Sequence, residues 1–387
     1  MSVQTELDRL NTAKNSLKTA IDNKGVSVPE NTKLDGYSAL VEQIESIADV
    51  PVYNGETEAD NFDDGKTRLY ITVPKNAMEG LPPPRSQVKL TIRQSVSNGV
   101  TIDWGDESEP VTLSGTGVVR PTHTYTTGGD YIIQLSPSEG CTLGLNGEDS
   151  SGCLIGSSAI TDKIYLGMLK KVNIGANVSN EDTDYAFYLC YNLLTVVMPN
   201  NITLIGRYMF RNCGLLSKVV IPNNVTSIGS YAFYGCESLS SLVIPNNVTS
   251  IGSYAFYGCE HLSDVVIPNG VTSIGDYVFR SCSSITNVVI PNGVTSIGSY
   301  AFYGCESLPS LVIPSNVISI GDRAFGSCGC MKEYRFLSLI PPTITSTNVF
   351  SNIPSDCIIY VPKGSAEAYK AATNWTTVAD HIQEEPA

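Results

Sequence analysis

Residues 244–259 read Ile-Pro-Asn-Asn-Val-Thr-Ser-Ile-Gly-Ser-Tyr-Ala-Phe-Tyr-Gly-Cys, and this stretch decides the fold because it recurs along the chain. Several residue types repeat at one interval of 23 residues. The cysteines are Cys190, Cys213, Cys236, Cys259, Cys282, Cys305 and Cys328, and the phenylalanines are Phe187, Phe210, Phe233, Phe256, Phe279, Phe302 and Phe325. A shared period of roughly 20–29 residues predicts a leucine-rich solenoid of stacked coils.

One coil, residues 239–261, shows how each repeat would fold. Apolar and polar residues alternate over 239–244, which predicts a short strand with one buried face. Pro245 would end the strand, since proline cannot donate to a ladder, and Ser253 is placed to cap a short helical turn. Cys259 is expected inside, in a reduced ladder of small apolar side chains. The histidines that a metal-binding ladder would need do not follow the period: His123, His261 and His381. We therefore predict no metal and no cofactor.

The unit I-P-x-x-V-T-x-I-G-x-x-A-F-x-x-C, seen in Ile244–Cys259, resembles the BspA-type leucine-rich repeat. The resemblance covers residues 160–336 and implies an α/β solenoid that acts as a binding scaffold and not as an enzyme. The first coil departs from the pattern, with Thr183 in place of the glycine, which suits an atypical capping repeat. Residues 337–387 resemble the usual C-terminal cap, whose role is to cover the last open coil.

Four rows of side chains would lie on the outside of the coils, one residue of each row per repeat. The polar row is Thr195, Lys218, Ser241, Asp264, Asn287, Ser310 and Glu333; the valine row is Val197, Val220, Val243, Val266, Val289 and Val312, ending at Arg335. The first tyrosine row is Tyr185, Tyr208, Tyr231, Tyr254, Tyr277 and Tyr300, ending at Arg323; the second tyrosine row is Tyr188, Arg211, Tyr234, Tyr257, Arg280 and Tyr303. We call the polar and valine rows together the strand face.

Two interpretations of these rows are open. Tyrosine offers a large, rigid contact area, and solenoids bind through extended surfaces, so the rows are candidate ligand-binding residues. Alternatively, each row is a product of repeat duplication, with tyrosines packing on their own copies and valines present because β-branched residues suit strands. The polar row is the better candidate for specificity, because repetition has not made it uniform.

The middle region, residues 62–137, reads as short strands and turns. Trp104-Gly105-Asp106, His123-Thr124-Tyr125 and Gly129-Asp130-Tyr131 are similar to the motifs of the polycystic-kidney-disease-type (PKD) domain, which implies an immunoglobulin-like β-sandwich used as a spacer or accessory binder. Glu107 stands where that family has a second glycine. Asp103, Asp106 and His123 would then be turn and core hydrogen-bonding residues, although carboxylates in this region could also hold Ca²⁺. Residues 138–159 are expected to form a linker and the N-terminal cap of the solenoid.

The N-terminal segment, residues 1–48, is expected to be helical. Its apolar residues fall at alternating steps of three and four, which is the seam of a coiled coil: Val3, Leu7, Leu10, Leu17 and Ile21, with Lys14 as a polar interruption. A short helix that packs on residues 37–47 of the same chain would show the same pattern, so a homotrimer and a monomer both remain open. Residues 7–47 resemble the N-terminal leader of phage tail-fibre and related virion proteins, which implies attachment or trimerisation.

Composition limits the partners. The chain of 387 residues is 42% hydrophobic and 16% charged and carries a net charge of −14, with no basic run. Nucleic acid is therefore a poor partner, and no stretch approaches the roughly 18 apolar residues of a membrane span. No G-x-S-x-G, H-E-x-x-H or P-loop motif occurs, and no signal peptide is visible. The sequence predicts a tail-associated phage or prophage protein whose solenoid binds a surface protein or glycan; the alternative is a bacterial cell-surface adhesin of the BspA type.

Overall fold

The computed structural model describes residues 64–73, 87–145, 154–155, 168–180 and 183–386. The predicted helical segment 1–48 and its coiled-coil seam lie outside the described residues. No described helix is long and apolar enough to cross a membrane.

A β-domain precedes the solenoid and is built from nine short strands. They are β1 (Thr67–Val73), β2 (Gln87–Lys89), β3 (Ile92–Gln94), β4 (Val100–Asp103), β5 (Val111–Thr112), β6 (Gly117–Val119), β7 (Thr122–Thr124), β8 (Gly129–Pro137) and β9 (Leu143–Gly144). All their pairings with one another are antiparallel, in the orders β1-β8-β4-β5, β2-β7 and β6-β3-β9. Alternate residues of β1 and β4 are buried, as the period of a one-sided strand requires. The resemblance to PKD domains stays a prediction.

Two columns of parallel strands form the solenoid. The first is β10 (Leu169–Asn173), β11 (Thr195–Val197), β13 (Lys218–Val219), β16 (Asp264–Val266), β18 (Asn287–Val289), β20 (Ser310–Ile313), β22 (Glu333–Phe336), β24 (Ile358–Val361) and β25 (Ile382–Glu384). The second is β12 (Leu204–Ile205), β14 (Ser227–Ile228), β15 (Ser250–Ile251), β17 (Ser273–Ile274), β19 (Ser296–Ile297), β21 (Ser319–Ile320) and β23 (Thr343–Ile344). Asp264 pairs with Asn287, so the register repeats the sequence period of 23 residues. The leucine-rich-repeat solenoid is confirmed.

The segment expected to be helical in each coil is a chain of turns, so the α/β description and the capping role of Ser253 are wrong. Alternate N–H groups point to the neighbouring coil, where Phe210 donates to the carbonyl of Ala232 at 2.8 Å. The residues between them donate three positions back, as Cys213 does to Phe210. A helix would keep all these bonds inside one coil. Sharing them between coils gives a third ladder, and the repeats form a β-solenoid.

Stacked phenylalanines and cysteines fill the coils. All seven repeat phenylalanines and all seven repeat cysteines have no exposed surface. Neighbouring phenylalanine rings, such as Phe233 and Phe256, stack with centroids 5.5 Å apart. Because each coil presents a bare apolar surface above and below, the coils are stable only when stacked.

The β-domain closes the first coil. Strand β1 pairs antiparallel with β8 on one side and with β10 on the other, so one sheet of seven strands crosses from the β-domain into the solenoid. Gly175 donates its N–H to the Thr67 hydroxyl at 2.9 Å, which fixes β1 to the end of β10. The open edge of the first coil is thereby paired.

Parallel pairing continues past residue 336 at the other end. Ser319 pairs with Thr343 and Glu333 with Ile358, steps of 24 and 25 residues, so the last coil is longer than the others. Helix α1 (Ala366–Ala371) and a 3-10 helix (Trp375–His381) follow before β25. Trp375 is buried and donates its indole N–H to the carbonyl of Pro342 at 2.9 Å.

Candidate ligand-binding surface

The first strand column carries the strand face on its outer side. Within each strand, inward and outward residues alternate, so Val265 is 2% exposed and the next residue, Val266, is 60% exposed. Adjacent coils stand in register, which brings the members of each row together at the spacing of neighbouring strands, about 4.8 Å.

The valine row forms a continuous apolar ridge in the centre of the solenoid. Val243, Val266, Val289 and Val312 are 46–60% exposed in four successive coils, whereas Val197 and Val220 are half-buried. The ridge ends at Arg335, which lies 4.9 Å from the ring centre of Tyr360. Glu333 and Glu385 both form ion pairs with this arginine.

The polar row lies beside the ridge. Ser241, Asp264, Asn287 and Ser310 are exposed, whereas Lys218 and Glu333 are half-buried. Asp264 accepts a hydrogen bond from the Ser263 hydroxyl at 3.0 Å. Together the two rows give a surface with an apolar centre and a varied polar margin, the arrangement that protein-binding patches use.

The tyrosine rows lie on the turn segment of each coil. Rings of the first tyrosine row stack face to face, with centroids 4.3–4.8 Å apart from Tyr185 to Tyr300. Each of these six tyrosines has a positive φ between 56° and 61°, a region that L residues other than glycine seldom adopt. Burial first, and then the neighbouring rings of Tyr277 and Tyr231, raise the pKa of Tyr254 to about 12. The tyrosines therefore pack on their own copies and present their ring edges outward.

Two arginines interrupt the second tyrosine row, and sequence reasoning gave them no role. The guanidinium carbon of Arg211 lies 4.8–5.8 Å from four tyrosine ring centres. Arg280 repeats this arrangement three coils later at 5.0–5.5 Å. The signal was present in the sequence as two breaks in an otherwise uniform row.

The cysteine ladder has no open chemistry. Each thiol from Cys213 to Cys328 donates to a phenylalanine carbonyl of the preceding coil, at 3.1–3.4 Å. Burial raises the pKa of Cys282 to about 12 and raises that of Cys259 well above its ordinary value. Within the described ranges, no group of three or more potential metal ligands converges. The ladder is buried structure, as predicted.

The β-domain motif residues form a compact hydrogen-bonded turn. Trp104 and His123 stack with centroids 4.9 Å apart, and His123 contacts the Asp106 carboxylate at 2.7 Å. Burial would raise the pKa of Asp106, but hydrogen bonds from Ser108 and His123 outweigh it and hold that pKa below its ordinary value. Asp103 accepts the Gly105 N–H at 2.9 Å. These contacts agree with a role in turn structure.

Comparison with known proteins identifies the repeats. A profile described as BspA type leucine-rich repeat region matches residues 165–240 and 226–356, with six copies, and so spans about half of the chain. No curated protein sequence matches the chain.

Solved structures of bacterial leucine-rich-repeat proteins are similar over part of the chain. A protein from Bacteroides ovatus is 22% identical, covering 49% of this chain and 62% of its own, with a TM-score of 0.32. The corresponding values are 25%, 50%, 68% and 0.29 for a Treponema pallidum protein, and 23%, 53%, 76% and 0.30 for a leucine-rich cell surface protein from Faecalibacterium prausnitzii. The chain thus spans less than two thirds of the B. ovatus structure. The assignment of the repeats rests on the profile.

Proposed function

Because residues 165–356 belong to the BspA-type leucine-rich-repeat family, we propose that this chain is a bacterial cell-surface adhesin whose strand face binds a surface protein or glycan. The surface location follows from the family resemblance. The exposed ridge of Val243, Val266, Val289 and Val312 carries the assignment to the strand face.

The ridge supports binding because exposed valines in four successive coils form one contiguous apolar strip. Single exposed apolar residues are ordinary, whereas contiguous apolar patches mark interaction sites. Each valine that a ligand covers would contribute on the order of 1 kcal/mol. The varied polar row beside it would then select the partner, since hydrogen-bonding groups that stay unpaired in a wrong complex are costly.

We also propose that the chain acts without catalysis. The interiors of the coils are filled with apolar side chains. A depression in the β-domain, lined by Arg93, Gln94, Ser95, Gly117 and Thr142, has a volume of about 190 Å³. This is smaller than the roughly 300 Å³ at which ligand pockets usually begin.

The proposal is tested by reversing charge on the strand face. Asp264→Lys with Asn287→Lys should abolish binding of the fluorescently labelled chain to bacterial and epithelial cells, because two lysines would flank the ridge. The melting temperature should change little, since both side chains are exposed. Asp380→Lys with Thr272→Lys is the matched control, with the same change in charge at exposed positions outside the two rows. Binding that survives the first pair, or is lost equally with the second, would remove the strand face as the site.

A tail-associated phage or prophage receptor-binding protein is the second candidate. The resemblance of residues 7–47 to virion leaders favours it. The solenoid would have the same binding role, and residues 1–48 would assemble a homotrimer on other virion proteins. The solution mass of the full chain and of a chain beginning at residue 50 separates the candidates. A trimer that becomes a monomer on truncation supports the virion protein, whereas two monomers leave the adhesin.

A further inference from the structure

The second tyrosine row places two positive charges among rings without giving them a carboxylate. Arg211 and Arg280 each lie within 6 Å of four tyrosine ring centres, a distance at which a cation is attracted to the ring. Neither forms an ion pair or a hydrogen bond through its side chain in the described structure, and the Nε of each is buried without a partner. The terminal nitrogens are not buried, so each guanidinium presents free N–H donors at the surface.

Arg323 shows what a paired arginine looks like on the same side of the coil. It ends the first tyrosine row, lies 5.5 Å from the ring centre of Tyr300 and donates to that hydroxyl at 2.6 Å. It also forms an ion pair with Asp322 at 3.1 Å. Arg211 and Arg280 have the ring contacts without this neutralising partner. In a chain of net charge −14, two unpaired guanidinium groups in one row are available for an external anion.

We propose that this surface binds a linear acidic polysaccharide that runs along the solenoid axis. We define it as the arginine–tyrosine face: Arg211, Tyr234, Tyr257, Arg280 and the adjoining first-row rings. The two guanidinium groups lie three coils apart, about 14 Å at the strand spacing. Anionic groups recurring along a polymer could engage both at once, with Arg as the residue best suited to carboxylate, sulfate or phosphate.

The tyrosines between the arginines favour a glycan over other polyanions. Tyr234 and Tyr257 stack at 4.6 Å and 9°, so their ring faces are covered and only edges and hydroxyls face outward. Hydroxyls at this spacing suit a hydroxyl-bearing chain. Nucleic acid is disfavoured because single strands stack bases on free aromatic faces and duplexes need many cations. The carboxylate of Asp276, in the neighbouring turn, accepts the Ser299 N–H at 2.7 Å.

Binding of polygalacturonate to the full chain, measured by calorimetry and by affinity electrophoresis, tests the proposal, with dextran as the neutral control. Arg211→Tyr with Arg280→Tyr restores the residue that other coils carry in this row, so the coil should fold. This variant should raise the Kd at least tenfold. Arg323→Gln, which removes a paired arginine, should change it less than twofold, and the strand-face pair Asp264→Lys with Asn287→Lys should not weaken it.

A measurement on the unaltered chain keeps the test independent of folding. Phenylglyoxal labelling read by mass spectrometry should show Arg211 and Arg280 protected by polygalacturonate, whereas exposed Arg207 is not. Three results would overturn the proposal: no retention by polygalacturonate, hyaluronan or heparin; an unchanged Kd and no protection; or tighter retention by polyglutamate or poly(dT). The last result would assign the face to an acidic peptide or a nucleic acid. None of these results bears on the strand face.

Discussion

The buried cysteine ladder makes a quantitative prediction about thiol reactivity. Only the thiolate attacks a disulfide reagent. At pH 8 a cysteine with an ordinary pKa near 8.5 is about one quarter thiolate. With its pKa raised to about 12, Cys282 is about one part in ten thousand thiolate. Ionisation alone should therefore slow Cys282 about two-thousandfold, and its complete burial adds the need for a coil to open.

The assay is the release of thionitrobenzoate from Ellman's reagent, followed over time in native buffer and again in guanidinium chloride. The Cys153→Ser background is used because Cys153 lies outside the described residues. Exposed Cys330 should then supply the fast phase, and Cys330→Ser should remove it. The ladder thiols should react together only when the solenoid unfolds. Fast reaction of several ladder thiols in native buffer would mean that the coil has been placed inside out.

Two further predictions concern backbone packing and acid stability. Gly252→Ala should lower the free energy of unfolding by about 1–3 kcal/mol in urea, since a Cβ there would lie 2.4 Å from the Ser230 nitrogen. Gly329→Ala, with no atom within 4 Å, should stay within about 0.5 kcal/mol, and equal stability of the two variants would refute the coil spacing. Because the folded pKa of Asp106 is below its ordinary 3.8, its contribution is present above that value and is lost as pH falls through the lowered pKa. Melting temperatures from pH 6 to 2.5 should therefore fall less steeply in Asp106→Asn than in the wild type; parallel curves would contradict this.

The period of the sequence was sufficient for the solenoid and its register. A row that repeats every 23 residues can pair only with itself, so the neighbours Asp264 and Asn287 could be derived before any coordinates. The inward cysteines followed in the same way. The exposure of Val266 and the covered faces of the tyrosine rings could not be derived, because both depend on which element lies across from them.

Two features depended on contacts that no local pattern contains. The turn segment has apolar residues at helix-like spacing, yet its N–H groups bond alternately to the next coil, and Tyr208 takes a φ of 57° as part of that arrangement. The pairing of Arg68 with Asn173 joins strands more than 100 residues apart, across a predicted domain boundary. Long-range antiparallel pairing of this kind leaves no periodic trace in the sequence.

The continuous sheet through β1 has a mechanical consequence. The backbone hydrogen bonds between coils run along the solenoid axis, so tension between the two ends loads each bond lengthwise and would peel coils one at a time. Each regular coil released adds 23 residues, or about 80 Å of extended chain. Since the first coil is held on its outer side by β1, peeling would start where pairing is shortest, in the two-residue strands of the middle coils. A chain of this construction lengthens under load in equal steps and can re-form each coil on its intact neighbour.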